Sequence, residues 1–441
     1  MENTFTRKFS FWQFIKFIMP AIISMVFISL YTIIDGIFVS KLVGSDALAS
    51  INIVLPIINL IFGIAVMFGT GGSAIISIKL GEKKGEEANK IFSMLMTIAF
   101  LVSSVLGVLA FIFIEDISIM LGATSKLIPY AVSYGGIIAL FSSVFVIKSM
   151  LEFYIRTDGD FNFSLFISII GGVLNIILDY YFIKTLNMGI LGAALATGLG
   201  ALISALLGLF YFFTKKSTLK FRKPSLNFKI LRNVLINGSS EMVTELSTGI
   251  TTLLFNMIAL KYADENGVAA LTIILYAHFL LISTYLGFSA GVSPLISYNY
   301  GADNVAKVKE TFKYSKIFLI VSSLFVFAAS IAFAPNIVSI FVSSSSEVFD
   351  LSLKGLYIFS FAFLFVGINV FTSGLFTALS NGKISSLISF LRAFIFVLLG
   401  AFIFPPIFKI DGLWTIVPFA ELATLFVSLY FIKKYKKTYK L

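Results

Sequence analysis

No cysteine occurs in the 441 residues, and there is a single histidine, His278. The first absence removes disulfide frameworks, thiolate metal sites and cysteine nucleophiles. The second removes histidine-rich metal centres and catalytic histidine clusters. Charge is scarce too: 12% of residues are Asp, Glu, Lys or Arg, where a soluble domain carries about 25%. No G-x-x-x-x-G-K-[ST] loop is present, so ATP-driven pumping has no sequence support. The N-terminus shows no short apolar run with a small-residue cleavage site; its first apolar run is long and continues as a span.

What remains is apolar. The chain is 58% hydrophobic, with 50 Phe and a mean hydropathy of +1.00. About 20 apolar residues make one helical crossing of a bilayer, and the pattern predicts an all-α integral membrane protein with twelve transmembrane helices. Their approximate limits are 12–38, 50–79, 90–114, 129–155, 161–183, 189–213, 232–260, 267–298, 312–334, 352–378, 384–406 and 412–432. Of the 33 Lys and Arg, 25 fall in the termini and alternate connections, such as Lys83, Lys84, Lys215, Lys216, Lys433 and Lys434. The positive-inside rule then places both termini in the cytoplasm of a multi-pass cell-membrane protein. The same rule accounts for the net charge of +11 without a nucleic-acid partner.

The chain repeats itself. Residues 71–81, GGSAIISIKLG, match residues 291–301, GVSPLISYNYG, at an offset of 220, and Gly192 with Gly412 fits the same offset. Six spans separate equivalent positions, so the halves share one orientation and relate by a pseudo-twofold axis along the membrane normal. The expected organisation is a six-helix lobe over 1–213, a cytoplasmic linker over 214–231 and a second six-helix lobe over 232–441. Together they form a V-shaped molecule with its cavity between the lobes.

Two acids stand inside the apolar spans of the first half. Asp35 lies six residues before Lys41, and Asp179 five before Lys184. At 1.5 Å per residue each sits roughly 8–9 Å below the outer surface those lysines mark. Asn175 shares the face of Asp179 one turn deeper, and Thr197 enters from the next span. These hard oxygen ligands suit a small cation such as Na⁺. A proton is the alternative, because two close carboxylates resist double ionisation. The plainer reading is that the acids cap helix ends. At the 220 offset, Asp35 and Asp179 map to Phe255 and Leu399, so this pair belongs to the first half alone.

The second half has its own polar groups. Glu241 and Glu245 share a face of span seven, His278 lies on span eight, Arg392 on span eleven and Glu421 on span twelve. Intramembrane ions pair or face a cavity; Arg392 with Glu245 or Glu421 is the expected pair. These groups either bind substrate or protons, or fix the helices. Lys148 and Glu152 predict a local i, i+4 salt bridge.

Several of these segments resemble the multidrug and toxic-compound extrusion (MATE) family. They are MPAIISMVFISLYTIIDGIFVSKLVGSDALASINIVLPI with its Asp35, RTDGDFNFSLFISIIGGVLNIILDYYFI, and MGILGAALAT. ELS at 245–247 and SYNYGA at 297–302 resemble the bacterial branch named after MepA. The resemblance implies a twelve-span, two-lobe secondary antiporter with no cofactor. Such a protein expels amphipathic, often cationic organic compounds in exchange for H⁺ or Na⁺. It also implies that the family's N-lobe cation site falls on Asp35, Asn175, Asp179 and Thr197. Some members use acids on spans seven and ten as well; span ten here offers only Asn369, which puts a C-lobe cation site in doubt. Expected partners are small amphipathic substrates and the bilayer, with the protein a monomer. A lipid-linked saccharide flippase and a membrane-embedded enzyme are the alternatives. The first fits poorly with many intramembrane acids and few cations. The second fits poorly with one histidine and no cysteine.

Overall fold

The computed structural model describes residues 2–441. All regular structure among them is helical: α1 (Glu2–Thr6), α2 (Phe11–Leu42), α3 (Ser45–Gly81), α4 (Gly85–Ile112), α5 (Ile114–Met120), α6 (Ile128–Leu140), α7 (Ser142–Thr157), α8 (Phe161–Asp179), α9 (Gly189–Phe213), α10 (Phe228–Gly301), α11 (Val305–Ala332), α12 (Ala334–Ser339), α13 (Glu347–Phe359), α14 (Phe363–Ala378), α15 (Gly382–Phe390), α16 (Phe396–Phe408) and α17 (Ile410–Tyr435). Ten of the described helical stretches are long and apolar enough to cross a membrane. The bent pair α6–α7 makes one more crossing. Helix α10 runs 74 residues but breaks at Ala263 and at Asp264, whose φ is 47°. Dividing it there gives twelve spans. Span four therefore departs from the straight helix expected over 129–155: α6 and α7 meet at 51° across Phe141.

Helix starts follow local chemistry. Ser10 and Gln13 form a reciprocal capping box on α2, satisfying amides that have no intrahelical partner. The Asp160 carboxylate caps α8 by accepting from Phe163 N at 3.0 Å. The Asn227 side chain accepts from Lys229 N and Ile230 N at 3.1 Å. Helix α10 thus begins at Phe228, a turn earlier than the expected linker boundary at 231.

The repeated segments pack against each other. A Cβ on Gly81 would lie 2.0 Å from Tyr298 O, and one on Gly301 would lie 2.2 Å from Ile78 O. Ile78 and Tyr298 are themselves 220 apart, so each copy of the motif makes the other's contact, as an isologous interface requires. A second seam follows: Gly238 rests on Met67 O, where a Cβ would sit at 1.9 Å. Only a missing side chain lets backbones approach this closely. The seams lie at the end of the molecule that carries both termini and most of the basic residues. Near mid-depth the Ser29 and Ser283 hydroxyls share a hydrogen bond. Beyond it Leu30, Ile34 and Ile37 of α2 and Ile250, Leu253 and Met257 of α10 are exposed. The lobes close at the basic end and part toward the other.

Two cores result. One gathers buried residues from Val39 to Val234. The other gathers residues from Phe255 to Leu441 together with Phe5–Ile22 and Phe161. The first half of α2 therefore belongs to the second core, while its far half packs on α8. The linker is bound to the first lobe. Asp158 accepts from Thr218 N and Leu219 N at 3.1 Å, Asn89 Oδ1 from Lys220 N at 2.9 Å, and Ser93 Oγ from Arg222 N at 2.8 Å.

Candidate functional site

Helices α2, α8 and α9 bring the four expected first-half residues together. Helices α8 and α9 approach through Gly200, where a Cβ would meet Gly171 O at 2.7 Å. Helix α2 lies on α8 through Phe27 and Tyr31, which pack over Gly172. Asp179 closes α8 and is fully buried. The chain then widens into a π-helical turn, Tyr180–Thr185, a distortion common at functional sites. Asn175 Nδ2 donates to Thr197 Oγ1 at 3.3 Å, and the Thr197 hydroxyl donates to Ala193 O at 3.0 Å. The Asp35 carboxyl reaches across to Asp179, with the Asn175 amide beside it.

The site holds an excess of acceptors. Asp35 Oδ1, both Asp179 oxygens and Asn175 Oδ1 are buried, and none receives a hydrogen bond from the described residues. As carboxylates, the two acids have no proton to offer each other. So many unpartnered acceptors in a low-dielectric setting are costly. A shared proton or a small cation is the species that satisfies it. No group of three or more His, Cys, Asp or Glu side chains forms among the described residues. A cation here would rest on two carboxylates with amide and hydroxyl oxygens.

Two tyrosines complete the surroundings. Tyr134 of α6 is buried and within electrostatic reach of both carboxylates. Tyr31, four residues before Asp35 on the same face of α2, lies between Asp35 and the Lys148–Glu152 pair. The i, i+4 spacing to Asp35 was a readable sign of Tyr31; Tyr134 had none beyond a polar tip in an apolar span. The Lys148–Glu152 bridge forms at 2.9 Å, but it is more than local. Glu152 Oε1 accepts from Ser168 at 2.7 Å, Ser24 donates to Ser168 at 2.8 Å, and Arg156 Nη1 donates to Ser164 at 3.0 Å. A buried polar file thus descends from the acid pair toward the basic end.

The second-half residues also converge. Arg392 sits in a π-helical segment, Leu391–Ile395, and its Nη1 lies 3.5 Å from Glu421 Oε1. Of the two partners expected, it takes Glu421. Asn369 Nδ2 donates to Glu421 Oε2 at 2.7 Å, and Ser428 donates to Asn369 Oδ1 at 2.9 Å. His278 and Glu241 both feel the Arg392 charge, and the His278 ring packs against Phe359 and Phe363. Glu241 and Glu245 line a cavity of about 130 Å³ between the lobes, shared with Met25, Val66, Phe153, Leu286 and Val370.

The MatE family model matches this chain twice, over residues 20–181 and again over 242–403. The chain belongs to the MatE family. The two MatE matches start 222 residues apart, close to the spacing of the sequence repeat. Asp35, Tyr134, Asn175 and Asp179 lie inside the first match, and Glu245, His278, Asn369 and Arg392 inside the second. The chain is similar to multidrug export protein MepA of Staphylococcus saprophyticus, with 25% identity over 421 residues, 93% of this chain and 89% of the relative. MepA of Staphylococcus haemolyticus is 24% identical over 441 residues, 97% of this chain and 94% of the relative. The outward-facing conformation of a multidrug resistance MATE family transporter of the MOP superfamily superimposes with a TM-score of 0.91 at 25% identity, covering 97% of this chain and 96% of that one. A MATE protein in its straight conformation shares the fold, with a TM-score of 0.90 at 24% identity over 97% of this chain and 96% of that one.

Proposed function

We propose that this MatE protein is a secondary active antiporter that exports amphipathic organic cations in exchange for H⁺ or Na⁺ by alternating access. The observation that carries the reading is the set of unpartnered buried acceptors on Asp35, Asp179 and Asn175, a site that a small cation or a proton would satisfy. The relatives named as multidrug export proteins support the cargo class. So does the inter-lobe cavity, which sets two glutamates among apolar walls. Such walls accept a greasy body, and the acids favour positive charge. Arg392 is already held by Glu421, so it is not free to take the anionic group of a saccharide carrier.

With the basic end in the cytoplasm, the open end faces outward. The coupling ion enters there and binds Asp35 and Asp179, with Asn175 and Thr197 supplying further oxygens. Substrate leaves from the same opening. The ion and the substrate must favour different lobe arrangements, since exchange is a coupling free energy and not proximity. The lobes 1–213 and 232–441 are the moving bodies, with the start of α2 travelling with the second, acting as a monomer, with no cofactor and no catalysed reaction.

The test is transport by purified protein in proteoliposomes under imposed H⁺ or Na⁺ gradients. Wild-type protein is expected to respond to one gradient, and Asp35→Asn and Asp179→Asn to lose that response while retaining fold and substrate binding. Gradient-driven export by both variants would remove the ion-site assignment, and indifference of the wild type to both gradients would remove antiport.

A further inference from the structure

A cavity larger than the inter-lobe one, with a volume of about 460 Å³, opens at the basic end beside the start of α2. Arg7, Gln13, Lys16, Phe17 and Pro20 form one wall, and Asp160, Phe161 and Asn162 at the start of α8 form the other. Arg7 and Lys16 are exposed and make no ion pair among the described residues. The Asp160 carboxylate in that wall is engaged in capping α8 through Phe163 N. The floor is aromatic: Phe17 and Phe161 pack with centroids 4.6 Å apart, and Phe9 lies against Phe17 at 5.2 Å. Trp12, one turn before Lys16, is 77% exposed, as an aromatic at a headgroup boundary would be.

We propose that this cavity binds the phosphate headgroup of an anionic phospholipid from the leaflet at the basic end. Arg7 and Lys16 hold the phosphate, Gln13 and the start of α8 donate to its ester oxygens, and the acyl chains leave past Trp12. Basic pockets between transmembrane helices on the cytoplasmic side take such headgroups. A soluble phosphate would use the cations but not the aromatic floor or the exposed Trp12.

The lipid bridges the two lobes. One wall is first-lobe backbone, residues 159–162. The other follows a segment pinned to the second lobe: Asn299 donates to Phe5 O at 3.0 Å, Tyr314 donates to Phe9 O at 3.2 Å, and the Lys307 ammonium lies 4.4 Å over the Phe9 ring. An occupant therefore binds the arrangement in which the basic end is closed, and favours it by its differential affinity.

Trp12 reports on its own site, because the other tryptophan, Trp414, is buried at 1% exposure. Full-length protein is reconstituted in phosphatidylcholine vesicles containing brominated phosphatidylglycerol or brominated phosphatidylcholine, and fluorescence quenching is titrated, with Trp12→Phe giving the background. Each basic residue near an anionic leaflet is worth roughly fivefold in affinity. We expect preferential quenching by phosphatidylglycerol, a loss of roughly fivefold in Arg7→Gln or Lys16→Gln, near-complete loss in the double variant, and recovery in Lys16→Arg. Equal quenching by both lipids in the wild type, or an unchanged preference in the double variant, would overturn the site. Displacement by inorganic phosphate where sulfate at matched ionic strength does nothing would overturn the lipid as its occupant.

Discussion

Replacing Gly238 with alanine drives a methyl group into the backbone of the opposite lobe. The added Cβ would stand 1.9 Å from Met67 O and 2.7 Å from its carbonyl carbon, where ordinary contact begins at 3.4 Å. Helices α3 and α10 must separate by about 1.5 Å at that level. Both obstructing groups are main chain, so no rotamer change relieves the clash. Overpacking of this kind costs about 1–3 kcal/mol, and the cost falls only on the arrangement closed at the basic end. The ratio of closed to open conformers should drop by about 5- to 150-fold. Because the chain has no cysteine, Ile34→Cys with Leu253→Cys gives a clean pair for spin labels on the two exposed outer faces. Electron-spin distance measurements in nanodiscs should show the outer faces moving together in Gly238→Ala. Gly36→Ala is the control, since nothing lies within 4 Å of a Cβ there. An unchanged distance distribution in a stable Gly238→Ala protein would refute the claim that this seam sets the conformational balance.

Other outcomes follow from the buried polar groups. Arg392→Met strands the Glu421 carboxylate and should lower stability by about 3–5 kcal/mol, with much of it restored in Arg392→Met/Glu421→Met; detergent-solubilised thermal unfolding measures both. Asp158→Ala leaves the Thr218 and Leu219 amides without their acceptor, at about 1–3 kcal/mol each, and trypsin should then cut at Lys215, Lys216 or Lys220 much faster than in wild type. Burial pushes the Asp158 carboxyl above its ordinary range, with hydrogen bonds from Thr218 and Tyr211 pulling partly back. A carboxyl raised on folding holds its proton more tightly in the folded state. Its contribution to stability is therefore gained as pH falls through the raised pKa and lost as pH rises through it. Asp158→Asn should flatten that part of the pH–stability profile, and an unaltered slope would contradict it. Tyr134→Phe keeps the ring and removes a hydroxyl within electrostatic reach of both acids; the pH or Na⁺ dependence of transport should shift while thermal stability holds.

The acid pair was readable because charge is expensive in hydrocarbon, so Asp35 and Asp179 stood out against their runs. Asn175 and Thr197 followed from helical spacing and span depth. The polar segment around Ala263 and Asp264 likewise marked the break inside α10. The bend between α6 and α7 was only faintly marked: neither proline nor glycine stands at the joint, and the Ser142–Ser143 pair after Phe141 is its one polar sign. The repeat was legible as a repeat, but its physical role was not. That Gly81 and Gly301 carry the same inter-lobe contact in mirrored copies depends on how two helices come to lie, and no local pattern encodes that. Arg392 found Glu421 rather than Glu245 for the same reason, since a choice between partners on different helices is tertiary. The π-helical turns after Asp179 and around Arg392 leave no mark in the sequence, because they share the composition of the α-helix they interrupt.

The tether between the halves has no slack. Its backbone is fastened in turn to Asp158, Asn89 and Ser93, and Asn227 N reaches Met94 Sδ at 3.3 Å one residue before α10 begins. The second half is thus bolted at a fixed point on the first, like a gate on a post. Any rocking must be taken up by bending within α10 or by tearing anchors loose. Lengthening the tether between Ser93 and α10 would turn a defined pivot into free play, uncoupling what happens at one half from what the other does.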